Sequence, residues 1–163
     1  MKNTATISEL PAKPAVYALM GGSGRSRYIA YVGIAGNLKS RITQHLVLRD
    51  SSVATGTSAA CLNPDYVTEV CWWQHKSFRK DAQRQAAEVV AVKVLDPTLR
   101  SRARTSQAAK EVLAGGGFAE EMVELFSGEP AGTLQIANLQ SVAERLERLE
   151  AKIDRLSEAL TKT

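Results

Sequence analysis

The sequence predicts an α+β fold, and three observations carry that expectation. Residues 15–20 and 28–34 are short apolar runs rich in Val, Ile and Tyr, joined by the turn sequence GGSGRSR, which is the pattern of a β-hairpin. Residues 66–75, YVTEVCWWQH, form a third run of β-branched and aromatic residues. Between and after these runs lie segments with apolar residues at helical spacing, separated by Pro and Gly.

The elements follow in order. Residues 1–13 read as a leader ended by Pro11 and Pro14. The two hairpin strands carry apolar groups on both faces, so they belong near the middle of a sheet covered on both sides. After a short loop at 33–37, Asn37 is a suitable N-cap, and Leu38, Ile42, His45 and Leu46 recur at helical spacing up to about residue 49. Residues 50–65 are small, polar and Pro/Gly-bearing, and read as a long surface loop. Ser77 can cap a helix over 78–95, which Asp96-Pro97 ends. Arg100, Arg102 and Arg104 sit in an extended segment. Short helices are expected at 105–114, stopped by three glycines, and at 118–126. SGEPAG at 127–132 reads as a linker.

The tail has apolar residues at 139, 142, 146, 149, 153, 156 and 160. Steps of three and four alternate without a miss, the heptad pattern of a coiled coil. Leu139, Leu146, Ile153 and Leu160 take one core position, and Val142, Leu149 and Leu156 the other. Arg145 and Glu150 fall at flanking positions that suit parallel neighbours, and RLERLE at 145–150 resembles a motif of three-stranded coiled coils. A homo-oligomer, dimer or trimer, is therefore expected. The alternative is a helix folded back on its own domain. These divisions give a first domain at 14–104, a helical extension and linker at 105–132, and a coiled-coil helix at 133–163.

A length of 163 residues holds one ordinary domain and an appendage. The net charge of +4 conceals an asymmetry: 15 Lys/Arg and 7 Asp/Glu up to Arg104, against 6 and 10 beyond it. A basic first part suits a polyanion such as DNA, although a soluble basic surface has the same composition. No apolar run reaches the roughly 20 residues of a membrane span. The first residues lack a signal peptide's apolar region, so a cytoplasmic protein is expected. Cys61 and Cys71 match no zinc pattern and read as reduced, small packing residues.

Three groups of residues carry chemistry. Glu88 interrupts the apolar stripe of its helix, where residues 91, 92 and 95 are Ala, Val and Leu. A buried carboxylate needs a cation, a proton or donors. It is either a core glutamate paired with Arg or Lys, or a ligand for a hard divalent ion such as magnesium, which needs only one or two carboxylates. Arg41 and His45 are four apart and project together. A guanidinium suits phosphate and a histidine can move a proton, but a polar helix face has the same residues. Tyr17, Tyr28 and Tyr31 crowd the hairpin, as rim tyrosines of a core or as hydroxyls that act on a water.

The ordered set resembles the GIY-YIG nuclease family. Its first signature reads Ala15-Val16-Tyr17 here and its second Tyr31-Val32-Gly33. The loop from Gly33 to Asn37-Leu38, the arginine Arg41, the histidine His45 and the helical Glu88 ahead of Pro97 follow in the family's order. The resemblance covers roughly residues 14–100. It implies a small three-stranded antiparallel sheet flanked by helices. It also implies a divalent-metal-dependent DNA endonuclease with one magnesium or manganese ion. In that scheme Glu88 holds the metal, Arg41 steadies the phosphate, Tyr17 helps to activate the water, Tyr31 orients water or phosphate, and His45 assists. Gly33 and Asn37 belong to the substrate-facing loop. Three departures stand out: Ala15 replaces glycine, Ile34 stands where many members carry lysine, and Arg100 stands where many carry asparagine. Arg25 or Arg27 in the hairpin turn, with Arg100, are the candidates to restore positive charge near the substrate. A catalytically weakened DNA-binding module and an assembly protein are the competing expectations.

Overall fold

The computed structural model describes residues 6–22, 24–55, 61–100, 105–137 and 139–161. Strand β1 (Ala15–Gly21) is buried along its whole length, because the sheet is covered on both faces. Strand β2 (Tyr28–Ala35) pairs antiparallel with it through the expected hairpin, with a register irregularity between Leu19 and Met20. Strand β3 (Val67–Trp73) pairs antiparallel with the other side of β1.

The sheet has a fourth strand, which corrects the three-stranded expectation. β4 (Gly132–Gln135) pairs antiparallel with β3, giving the order β2-β1-β3-β4. It was not legible because GTLQ is short and weakly apolar, and it follows a turn-like run. Only Leu134 is buried; tertiary pairing and that one side chain make it a strand. The hairpin is central through β1 alone, while β2 is an edge. Part of that edge is covered by residues 98 and 99, whose amides donate to Ile29 O and Ala30 O at 2.9 Å each.

Alternation along the strands sorts side chains to two faces. Tyr17, Leu19 and Tyr31 lie on one, with Leu38 and Ile42 of helix α1 (Leu38–Thr43), Val53, Leu62 and Leu134. Val16, Ala18, Met20 and Val32 lie on the other, under Ala87, Val90 and Ala91 of helix α2 (Asp81–Leu95). Helices α3 (Gln107–Ala114) and α4 (Phe118–Ser127) extend that second layer, and Met122 and Phe126 of α4 are buried in it. The expected extension at 105–132 thus contributes core side chains.

Three local expectations change. The helix over 38–49 tightens no further than Thr43 as an α-helix and widens into a π-turn, Gln44–Leu48, ended by Arg49 in the left-handed region at φ 56°. Ser77 does not cap α2; it lies in a 3₁₀ turn, Lys76–Arg79, and α2 starts at Asp81. The loop after the π-turn is not all surface, because Ser51, Val53 and Leu62 are buried. Helix α5 (Leu139–Thr161) is continuous, and Val142, Leu146, Leu149, Ile153 and Leu156 remain 45–62% exposed along one stripe. Arg102 and Arg104 lie outside the described residues, as do the side chains of Leu139, Arg145 and Leu160. Among the described residues no helix is long and apolar enough to cross a membrane.

Candidate active site

The site forms where four elements meet at the β2 edge. In the β1–β2 register Tyr17 faces Gly33, and Leu19 faces Tyr31, so both tyrosines project from the same face. Gly33 is required there. A Cβ at that position would lie 2.6 Å from Tyr17 Oη and 2.8 Å from Tyr31 Cε1, closer than packed atoms approach. The missing side chain lets both rings lean over the strand, 6.3 Å apart between centroids.

Behind Tyr17 sits His45, buried to 1% exposure in the π-turn. Its Nε2 is 2.6 Å from Tyr17 Oη, and its Nδ1 is 2.7 Å from Ser51 Oγ. The serine oxygen also accepts from the Ala54 amide at 3.2 Å. Burial and the neighbouring Arg41 charge hold His45 down to about 4, so the ring is neutral at pH 7 and carries one N–H. With that proton on Nδ1 it donates to Ser51, and Nε2 accepts from Tyr17. Arg41 and His45 therefore share a helical side but not a role. Arg41 opens to the cavity, and its Nη1 donates to Gln44 Oε1 at 3.2 Å.

In front of the tyrosines is a cavity of about 580 Å³. Tyr17, Tyr31, Arg41, Glu88 and Arg100 all line it, joined by Ile34, Ser52, Val53, Gln85 and Lys93. Glu88 makes no ion pair or hydrogen bond with any described residue. Burial raises its carboxyl to about 7, with Arg41 opposing. A paired core glutamate would be held low instead. Burial also raises Tyr17 well above the usual phenol value, with Tyr31 adding to it and Arg41 opposing. Tyr31 is raised to about 12 by burial and by Glu88. Both phenols are therefore neutral hydroxyls, able to donate or relay a proton. Among the described residues no cluster of three His, Cys, Asp or Glu is placed to hold a metal. Glu88 is the one carboxylate among the described residues that line the cavity.

Not every candidate reaches the cavity. Asn37 caps α1 by accepting from the Ser40 amide at 3.0 Å and lines a neighbouring cleft shared with Ile34 and Arg41. Arg27 is 2.6 Å from Glu69 on β3, and neither it nor Arg25 lines the cavity. Arg100 lines it while paired with Asp96. Sequence reasoning missed Lys93 and Gln85, although 85, 88, 89, 92 and 93 make a single helical stripe, and all five line the cavity. Lys93 and Ile34 both line the cavity, so Lys93 contributes a cation to a wall in which Ile34 is apolar. Ser51 had no signal, because only the fold of its loop brings it to His45.

Comparison with family models, with curated proteins and with solved structures finds no match.

Proposed function

We propose that the chain is an endonuclease that hydrolyses DNA phosphodiester bonds at a GIY-YIG-type site using one divalent ion, magnesium or manganese. One observation carries this reading: Tyr17, Tyr31, Arg41 and Glu88, contributed by four different elements, line a single cavity. The residues fit the ion in that Glu88 is a half-buried carboxylate with no cation among the described residues at ion-pair distance. A bound ion supplies charge neutralisation to the phosphoryl oxygens and lowers the pKa of a coordinated water.

The protein residues do the remainder. Glu88 would hold the ion. Arg41 donates to the phosphate, and Lys93 adds positive charge to the cavity wall, where Arg100 can contribute only by leaving Asp96. Tyr31 orients the water or the phosphate. Tyr17 donates its hydroxyl proton to His45 Nε2 at 2.6 Å, which leaves the Oη lone pairs to accept a hydrogen bond from the water and orient it. Its raised pKa excludes a standing phenolate at neutral pH, so it positions the water and does not take its proton. The exposed stripe of α5 supports self-association as a dimer or trimer, which would gather several such sites on one assembly.

A second reading is a DNA-binding module with weakened catalysis. The apolar Ile34 in the cavity wall favours it. The two are separated by cleavage assays on supercoiled, linear, branched and single-stranded DNA with magnesium or manganese. The nuclease reading expects cutting that Glu88→Ala and Arg41→Ala abolish. Binding without cutting of any form in either metal would sink it.

A further inference from the structure

A second cleft lies beyond the cavity, bordered by Lys13, Pro14, Gln74, His75, Lys76 and Arg79, with a volume of about 280 Å³. Three of these residues are permanent cations, all exposed. None of the three makes an ion pair with a described residue, in contrast to Arg27, Arg49, Arg84 and Arg100, each of which has an acidic partner. The side-chain Nε2 of Gln74, in the same wall, is buried without an acceptor. Three unneutralised cations around one cleft repel each other and cost stability unless an anion occupies it.

The chain links this cleft to the cavity through an intermediate cleft. The cavity and an intermediate cleft share Ile34 and Arg41, and that intermediate cleft also has Asn37, Asp81 and Arg84 in its walls. It shares no lining residue with the basic cleft, but the chain joins the two at two points. Lys13 O accepts from the Leu38 amide, next to Asn37, and Arg79 ends the 3₁₀ turn that leads into α2 at Asp81. Helix α2 lines the first two of these hollows, and the 3₁₀ turn just before it, with Lys76 and Arg79, borders the third. From Glu88 to Asp81 is about 10 Å at a rise of about 1.5 Å per residue, or about three nucleotide steps at about 3.4 Å each. No Phe, Tyr or Trp lines the two outer clefts, so they offer phosphate contacts and no stacking platform for bases. The carboxylates nearby are engaged: Asp81 accepts from Arg84 and Gln85, and Glu121 lies 3.3 Å from His75 Nε2.

We propose that Lys13, Lys76 and Arg79 form a sequence-independent docking site for the phosphate backbone of duplex DNA, about three nucleotides and more from the scissile position. This deepens the nucleic-acid reading above and rests on it for the identity of the polyanion. The site positions the strand, with Arg41 at one end of the track and the three cations at the other.

The test is binding of a fluorescent 20-base-pair duplex by the full chain in EDTA, measured as anisotropy from low to high salt. Each phosphate contact contributes about 0.9 to the slope of log K against log salt. The triple substitution Lys13→Gln/Lys76→Gln/Arg79→Gln is expected to flatten that slope by about 2 to 3 and to weaken binding at least about tenfold at low salt. A control of equal charge change, Lys110→Gln/Lys152→Gln/Arg155→Gln, is expected to leave both unchanged. All six side chains are exposed, so neither triple should melt below wild type. Equal losses in the two triples would reduce the effect to net charge and overturn the site. So would an unchanged slope in the first triple combined with loss of inorganic phosphate binding, which would make the cleft a small-anion pocket. Because the assay contains no metal, it is independent of cleavage. A chain that cuts no DNA yet shows the flattened slope keeps the docking site and loses the nuclease reading. A chain that cuts DNA while the triple changes nothing does the reverse.

Discussion

Replacing Glu88 by glutamine tests whether that carboxylate is kept for structure or for a ligand. In the metal-free chain the folded carboxyl titrates at about 7, against a reference of 4.5, because burial outweighs the opposing Arg41 charge. Folding therefore favours the protonated form. Below pH 4.5 the group is protonated in both states and imposes no penalty. Between 4.5 and 7 the unfolded chain releases the proton that the folded chain keeps, and stability falls as pH rises. Above 7 the full penalty stands. The gap corresponds to about 3 kcal/mol at about 1.4 kcal/mol per pH unit. Glutamine fills the same space without the charge. In EDTA at pH 8, Glu88→Gln should be more stable than wild type by about 2–3 kcal/mol, or about 5–10 °C in Tm. At pH 5 the difference should shrink to under about 1 kcal/mol. Circular dichroism melts at the two pH values measure it. Magnesium should raise the wild-type Tm at pH 8 and leave the glutamine variant unmoved. A glutamine variant less stable than wild type at pH 8 would refute the reasoning, because it would show that Arg41 already satisfies a structural carboxylate.

Other outcomes follow from the same geometry. Gly33→Ala should cost about 1–3 kcal/mol and displace both tyrosines, since the added methyl overlaps Tyr17 Oη; an unchanged near-ultraviolet spectrum would contradict this. Ser51→Ala removes the partner of a buried His45 Nδ1 and should cost about 1–3 kcal/mol in urea unfolding. It should also redistribute the two His45 tautomers seen by ¹⁵N NMR, and unaltered nitrogen shifts would remove Ser51 from the hydrogen-bond chain behind Tyr17. A chain ended after Ala137 should keep the fold and sediment as a monomer, whereas the full chain sediments as a dimer or trimer. Ending it at Gly132 should lose about 2–5 kcal/mol more, because Leu134 leaves the core. Equal stability of the two truncations would mean that β4 contributes nothing.

Local chemistry made much of the fold legible. The hairpin has β-favouring residues and a Gly-rich turn, and α2 ends at Asp96, whose φ of 43° precedes Pro97. The heptad of α5 depends only on spacing. These features require a few neighbouring residues to agree, so they survive without knowledge of the rest. The strand β4 and the buried Ser51 did not, because neither has a local signature. GTLQ becomes a strand only when β3 offers an open edge, and Ser51 is buried only because the loop after the π-turn folds under Tyr17.

The candidate site divides along the same line. Sequence alone named Tyr17, Tyr31, Arg41, His45 and Glu88, since each is a chemically capable residue in a recognisable order. It also exposed Ile34 as an apolar residue where the GIY-YIG pattern often has a cation. Only tertiary structure decided which of them meet. Four line the cavity, His45 stands behind Tyr17, and Arg27 is paired with Glu69 away from it. The raised Glu88 and Tyr17 and the lowered His45 arise from burial, which depends on chain segments far apart in sequence. Residue type sets what a group can do; desolvation and the positions of its neighbours set the protonation state in which it does it.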